Sequence, residues 1–228
     1  MKPRRSTTAV TARKRILVVD DHPIMREGLA QLINHEPDLS VCGEAESSEQ
    51  AVSAVEKLRP DLVLADITLP GKSGVELIKD LQALRPGLAV LVLSMHDESL
   101  YAERVLRAGG RGYIMKQEGG RKLMEAIRHV LGGQVYVSAR MSARILELFS
   151  GQPAESERSP LAKLTDREFE VYQLIGAGKS TRDVAGQLHL SVKTVEVHRA
   201  NIKKKLGVRS APELVRHAVR WVETQRAG

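Results

Sequence analysis

Five short apolar runs, each followed by a helical pattern, constrain the fold of this 228-residue chain more than any other feature. The apolar runs lie at residues 16–19, 40–43, 62–65, 89–93 and 112–115. The amphipathic helical patterns lie at residues 24–34, 48–58, 74–84, 98–107 and 120–131. Such alternation predicts an α/β fold, a doubly wound five-stranded parallel sheet with helices on both faces. In such sheets ligands bind beyond the carboxyl ends of the strands.

Acidic residues follow two of the predicted strands at the point where each strand ends. Asp66 closes the third run, directly before a loop that contains Pro and Gly, and Asp20 and Asp21 close the first. In the strand order 2-1-3-4-5 the first and third strands are neighbours, so we expect the three carboxylates at one edge of the sheet. Like charges this close repel each other. A divalent cation and Lys116, which follows the fifth run, can compensate them.

The order of these residues resembles the receiver domain of two-component response regulators over residues 15–131. The matching features are Asp20-Asp21 followed by His22-Pro23, the spacing D-x-x-x-P-x-x-x-G from Asp66 to Gly74, Ser94, Tyr113 and Lys116. Each feature is common by itself, but their order at successive strand ends is specific. The resemblance implies a flavodoxin-like fold for this part of the chain.

The resemblance also implies a chemistry. Asp66 would accept a phosphoryl group from a sensor histidine kinase, and Lys116 would pair with a phosphoryl oxygen. Ser94 would move towards the new group, and Tyr113 would follow it inward. The cofactor would be Mg²⁺, a hard cation that prefers oxygen ligands. Its implied ligands are Asp20, Asp21, Asp66 and the backbone carbonyl of Thr68. For His22 we expect a capping or packing role at the start of the first helix.

The C-terminal part is basic and helical. Residues 161–228 contain 13 basic and seven acidic residues, in a chain of net charge +7, which favours a polyanionic partner. Thr165 and Glu168 form a capping-box pattern, and Ser191 is placed to cap a longer basic helix that runs to Leu206. Two short helices followed by a longer basic one predict a helix-turn-helix. The stretches L-T-D-R-E, G-K-S-T-R-D-V-A and S-V-K-T-V-E-V-H-R-A-N-I resemble the LuxR/NarL-type domain, which implies double-stranded DNA as a partner.

The helix that follows Ser191 has two different faces at about 100° per residue. The predicted core face consists of Val192, Val195, Ile202 and Leu206. The predicted DNA-binding face consists of Lys193, Thr194, Val197, His198, Asn201, Lys204 and Lys205. Lysines would neutralise phosphates, Asn201 or Lys193 would reach base edges, and Val197 would contact a thymine methyl group. A merely solvated face would explain the lysines but not an exposed valine.

Four segments follow from these patterns: a disordered basic tail at 1–14, the receiver at 15–131, a linker with one helix at 132–160, of which 150–160 is flexible, and the helix-turn-helix domain at 161–228. No apolar run approaches the roughly 20 residues that a bilayer requires, so we expect no membrane partner. The single cysteine, Cys42, is expected in the core, and one cysteine suits the reducing cytoplasm.

These features favour a response regulator that is phosphorylated on Asp66, dimerises and binds DNA. It would catalyse only its own phosphotransfer and dephosphorylation. Two alternatives stay open. A DNA-binding regulator with a vestigial receiver is disfavoured by the complete set of receiver residues. An aspartyl-phosphate phosphatase would resemble D-x-D on the first strand, whereas Asp20 and Asp21 are adjacent.

Overall fold

A computed structural model describes residues 12–70, 72–95, 98–149 and 160–227. Most of the predicted basic tail and nearly all of the predicted flexible linker lie outside the described residues. The strands are β1 (Lys14–Val19), β2 (Leu39–Ala45), β3 (Leu62–Asp66), β4 (Ala89–Ser94) and β5 (Gly112–Met115). The helices of the first part are α1 (Pro23–His35), α2 (Ser48–Leu58), α3 (Gly74–Leu84), α4 (Glu98–Arg107) and α5 (Gly119–Leu131).

The strands form one parallel sheet in the order β2-β1-β3-β4-β5, which confirms the predicted topology. All five residues of β3 are buried, because helices cover both faces of the sheet. The register sets the ends of the strands side by side, since Val19 is opposite Ala65 and Ser94 is opposite Met115. The residues that follow these strands therefore share one edge of the sheet.

The loop after β3 is fixed by a close approach of α3. Ser73 caps α3 with a capping box that includes Glu76. The Gly74 amide donates a hydrogen bond to the carbonyl of Ile67 at 2.7 Å. A Cβ atom on Gly74 would lie 2.6 Å from the carbonyl oxygen of Asp66, so this position excludes any side chain. The hydrogen bond and the close approach at Gly74 therefore hold the end of β3 against the start of α3.

The C-terminal part is helical. Its helices are α7 (Asp166–Gly176), α8 (Thr181–Gln187), α9 (Val192–Leu206) and α10 (Ala211–Ala227). The capping box of Thr165 and Glu168 and the cap by Ser191 are confirmed. Helix α10 packs along α7, and a Cβ on Gly176 would lie 2.5 Å from the carbonyl oxygen of Ala218. The glycine therefore permits this close helix pair.

A further helix, α6 (Ala139–Phe149), lies in the segment predicted as a linker and contacts α4. The Ser138 amide donates to Glu98 Oε1 at 2.7 Å, and Met141 is buried. This part of the segment is therefore packed on the first domain. Among the described helices, none combines the length and apolar character that crossing a membrane would require.

Two expectations about apolar positions are wrong. Cys42 is half-buried rather than in the core, because β2 is an edge strand of the sheet. Val192, predicted on the core face, is 42% exposed, because it is the first residue of α9 and extends past the buried positions Val195 and Ile202.

Candidate functional site

A lysine bridges two carboxylates at the carboxyl edge of the sheet. Lys116 Nζ donates to Asp20 Oδ2 at 2.7 Å and to Asp66 Oδ2 at 2.8 Å. Asp20 and Asp66 are both buried, 1% and 6% exposed. The second oxygens are also engaged: Asp20 Oδ1 accepts from the His22 amide at 2.9 Å, and Asp66 Oδ1 accepts from the Thr68 amide at 3.2 Å. Each carboxylate therefore has a fixed orientation.

Burial and charge act in opposite directions in this acidic pocket. Burial raises the pKa of Asp66, and the ammonium group of Lys116 opposes that rise. Burial alone would lower the pKa of Lys116, but the carboxylates of Asp66 and Asp20 outweigh it and raise that pKa. The lysine is therefore held in its charged form beside the carboxylate that sequence analysis selects as the reactive one.

The pocket suits a divalent cation. Oxygen or nitrogen atoms of Asp20, Asp21, His22 and Asp66 lie within 4.8 Å of one another. Asp21 Oδ1 is buried, and within the described part of the chain it lies 2.7 Å from His22 Nδ1. A site with carboxylate oxygens from three aspartates fits a hard cation.

Ser94 is the last residue of β4, and Tyr113 is the second residue of β5. Both side chains are buried, 0% and 1% exposed. The inward position expected for Tyr113 after phosphorylation is thus already occupied in the unmodified chain.

His22 does not fill the role expected of it. It occupies the N-cap position of α1, but its side chain makes no capping hydrogen bond and is 72% exposed. Its Nδ1 instead lies 2.7 Å from Asp21 Oδ1 and 3.3 Å from Asp20 Oδ1. The imidazole therefore borders the acidic pocket.

The residues of α9 that are predicted to contact DNA fall into two groups, which differ in their exposure to solvent. Lys193, Val197, Asn201 and Lys204 are exposed, with Val197 at 53%. Thr194, His198 and Lys205 are half-buried on one flank of the helix. Lys205 Nζ donates to Glu168 Oε2 at 2.5 Å, and burial lowers the pKa of His198. The open part of the predicted face consists of the first group.

Sequence analysis missed a contact between the two domains. Arg104 of α4 donates to Asp166 Oδ1 at 2.9 Å, while Lys79 Nζ donates to Asp166 Oδ2 at 2.8 Å. The Arg104 guanidinium also lies 4.2 Å from the centre of the Phe169 ring. Tyr101, fully buried on α4, donates its hydroxyl hydrogen bond to Gln173. Helix α7 is therefore held against α3 and α4.

A second interdomain contact reaches the acidic pocket itself. His189, in the turn between α8 and α9, places Nε2 3.2 Å from Asp21 Oδ2. No periodic pattern could reveal this pair, which is 168 residues apart in the chain. The only sequence signal for this contact is a histidine in a turn, and histidines in turns are too common to indicate an interdomain contact.

Both parts of the chain are similar to known protein families. A family described as "Response regulator receiver domain" matches residues 16–128, and "Bacterial regulatory proteins, luxR family" matches residues 162–218. "Oxygen regulatory protein NreC" of Staphylococcus carnosus is 34% identical, over 90% of this chain and 97% of its own. "Transcriptional regulatory protein DegU" of Brevibacillus brevis is 35% identical, over 92% and 95%.

A solved structure is similar over most of the chain. RcsB from Salmonella enterica serovar Typhimurium, bound to promoter rprA in the presence of the phosphomimetic BeF3-, matches with a TM-score of 0.59 and 25% identity, over 91% of this chain and 98% of that one. The chain belongs to the response-regulator family in which a receiver domain is joined to a luxR-type DNA-binding domain. The family predicted from the sequence is confirmed.

Proposed function

We propose that this chain is a transcription regulator that is switched by phosphorylation of Asp66. The observation that carries the proposal is the pair of hydrogen bonds from Lys116 to Asp66 and Asp20, at a strand end, in a chain that also has a luxR-type domain. A sensor histidine kinase would be the phosphoryl donor, and the cytoplasm, where DNA and a reducing environment coexist, would be its location.

The phosphoryl transfer requires positioning and charge compensation more than covalent help. An oxygen of Asp66 attacks phosphorus, the bond from phosphorus to the kinase histidine breaks, and the product is an acyl phosphate. Lys116 compensates negative charge on the transferred group. The later loss of the group by hydrolysis would be the chain's own dephosphorylation, which uses the same residues.

A Mg²⁺ ion would neutralise further charge on the phosphoryl oxygens when bound. Its proposed ligands are Asp20, Asp21, Asp66 and the backbone carbonyl of Thr68. The close grouping of the carboxylates of Asp20, Asp21 and Asp66 supports this donor set.

The acyl phosphate would act on the other domain through buried residues. It adds about two negative charges and three acceptor oxygens, which favours a hydrogen bond from the Ser94 hydroxyl. We propose that Ser94 and Tyr113 then shift α4, the helix that carries Arg104 and Tyr101 to α7. Weaker docking of α7 would release the DNA-binding domain and favour a dimer.

On DNA, the exposed group of α9 would enter the major groove. Lys193 and Lys204 would contact phosphates or base edges, Asn201 would read a base, and Val197 would contact a thymine methyl group. Thr194, His198 and Lys205 would contact DNA beside them. A dimer places two such helices about one duplex turn apart, so we expect an inverted-repeat site.

The test is DNA affinity with and without a small phosphodonor and Mg²⁺. We expect tighter binding with the donor for the wild type and no change for Asp66→Asn. Asp80→Asn, which removes a surface carboxylate paired with Lys72, is the control and should respond like the wild type. An equal gain in affinity for Asp66→Asn would contradict the proposal.

A further inference from the structure

One arginine of α1 contacts the backbone of the acidic pocket from outside the group of carboxylates. Arg26 lies in the first turn of α1, and its Nη1 donates a hydrogen bond to the carbonyl oxygen of Asp20 at 2.6 Å. The Arg26 side chain is 15% exposed, so water competes little for this bond. A guanidinium carries only donors, so Arg26 cannot itself be a metal ligand. It acts instead on the peptide unit that joins Asp20 to Asp21.

This peptide unit sets the relative position of two proposed magnesium ligands. It is planar and connects the Cα atoms of Asp20 and Asp21, so its rotation about the flanking single bonds would move one carboxylate relative to the other. The bond from Lys116 fixes the Asp20 carboxylate, and the Asp20 amide donates to the carbonyl of Ala45 at 3.1 Å. Neither contact involves the peptide unit that follows Asp20. The bond from Arg26 does, and it restricts the rotation of that unit.

Two acids at the end of β2 orient the guanidinium group. Arg26 Nε lies 3.6 Å from Glu44 Oε2, and Arg26 Nη2 lies 4.0 Å from Glu46 Oε2. The two glutamate side chains are 43% and 59% exposed, so each ion pair is weak by itself. The donors of a guanidinium have fixed relative directions, so the two pairs together aim Nη1 at the Asp20 carbonyl. Strand β2 is paired with β1, so these acids and the pocket share one rigid sheet.

We propose that Arg26 is a positioning residue for the divalent cation of the phosphoryl transfer, an inference that rests on the function proposed above. By fixing the peptide unit between Asp20 and Asp21, it holds both carboxylates ready to bind one ion. Loss of a residue that orients metal ligands lowers metal affinity by about 10- to 100-fold. The charge of Arg26 acts in the opposite direction, because a positive group beside the pocket repels a cation. Weaker binding after removal of Arg26 therefore reports its positioning role.

The test measures cation affinity without phosphoryl transfer. Metal-free full-length chain is titrated with Mn²⁺, which accepts the same oxygen ligands as Mg²⁺, and free Mn²⁺ is followed by electron paramagnetic resonance. Arg26→Ala should raise the dissociation constant of Mn²⁺ at least about tenfold. Arg26→Lys keeps a charged donor and should bind Mn²⁺ more tightly than Arg26→Ala. The control is Arg121→Ala, which removes a guanidinium that is 88% exposed on α5 and should leave the affinity unchanged.

The Mg²⁺ dependence of phosphorylation by a small phosphodonor gives a second readout. Arg26→Ala should require more Mg²⁺ for its half-maximal rate, whereas its rate at saturating Mg²⁺ should approach that of the wild type, because Asp66 and Lys116 are unchanged. General damage to the fold would lower the saturated rate instead, and that result would overturn the inference.

The Mn²⁺ titrations can overturn it in three further ways. Arg26→Ala could bind Mn²⁺ as tightly as the wild type or more tightly, Arg26→Lys could bind no better than Arg26→Ala, or Arg121→Ala could lose as much affinity as Arg26→Ala. If the wild type accepted no phosphoryl group, the proposed function would fail, and the Mn²⁺ affinities would still decide the role of Arg26.

Discussion

Removal of the Arg104 side chain should open the contact between the domains. Arg104 donates to Asp166 Oδ1 at 2.9 Å and to the carbonyls of Leu164 and Leu161 at 3.2 and 3.0 Å, and it lies over the Phe169 ring. Its side chain is 19% exposed, so solvent screens these interactions only in part. It therefore contributes more to the docking of α7 than any exposed ion pair would.

The magnitude follows from these contacts. A hydrogen bond to a charged group contributes about 1.5–3 kcal/mol, and a cation–π contact about 0.5–1 kcal/mol. Lys79 still pairs with Asp166 in the Arg104→Ala variant, so the carboxylate keeps one partner. We expect a loss of about 2–3 kcal/mol of docking free energy, which raises the ratio of open to closed chain roughly 30- to 150-fold.

Small-angle scattering and DNA binding, both without a phosphodonor, measure this effect. Arg104→Ala should have a larger radius of gyration and a higher DNA affinity than the wild type. Arg107→Ala is the matched control, because Arg107 is on the same helix, is 60% exposed and pairs with Glu103. The reasoning is refuted if Arg104→Ala matches Arg107→Ala in both measurements.

Three further predictions concern the C-terminal domain. Burial raises the pKa of Glu170 to about 7, so its contribution to the free energy of unfolding is complete below the ordinary pKa and is lost as the pH rises through 7. In denaturant titrations from pH 4 to pH 8, the wild type should lose about 3 kcal/mol more stability than Glu170→Gln. Parallel pH profiles of the two proteins would contradict this. Lys204→Ala should weaken DNA binding on all sequences and reduce the salt dependence, whereas Asn201→Ala should change sequence preference; an unaltered salt slope for Lys204→Ala would argue against its phosphate contact. Gly176→Ala should lower stability by about 1–3 kcal/mol, because its Cβ would clash with the carbonyl of Ala218, and an unchanged melting temperature would exclude that clash.

The receiver fold could be predicted because its signals are local. Continuous apolar runs such as residues 62–65 occur where both faces of a sheet are covered, and the helical patterns between them fix the parallel connections. The parallel register then brings Asp20, Asp66 and Lys116 together without any knowledge of side-chain packing. Capping residues such as Thr165 and Ser191 were equally readable, because a cap depends on a few neighbouring residues.

Contacts between the domains could not be predicted in this way. Arg104, Asp166 and His189 read as ordinary surface residues, since their partners lie on another domain and no period relates them. The burial of Tyr101, which donates to Gln173 of α7, follows from the same contact. A helical wheel shows which residues share one face of a helix. It does not show which surface of another domain that face will contact.

The central claim is that Asp66 accepts the phosphoryl group. The most direct measurement is the intact mass of the full-length chain after incubation with a small phosphodonor and Mg²⁺, beside Asp66→Asn. The account predicts a gain of one phosphoryl group in the wild type and none in Asp66→Asn. An equal gain in Asp66→Asn would contradict it, because the group would then be attached to another residue.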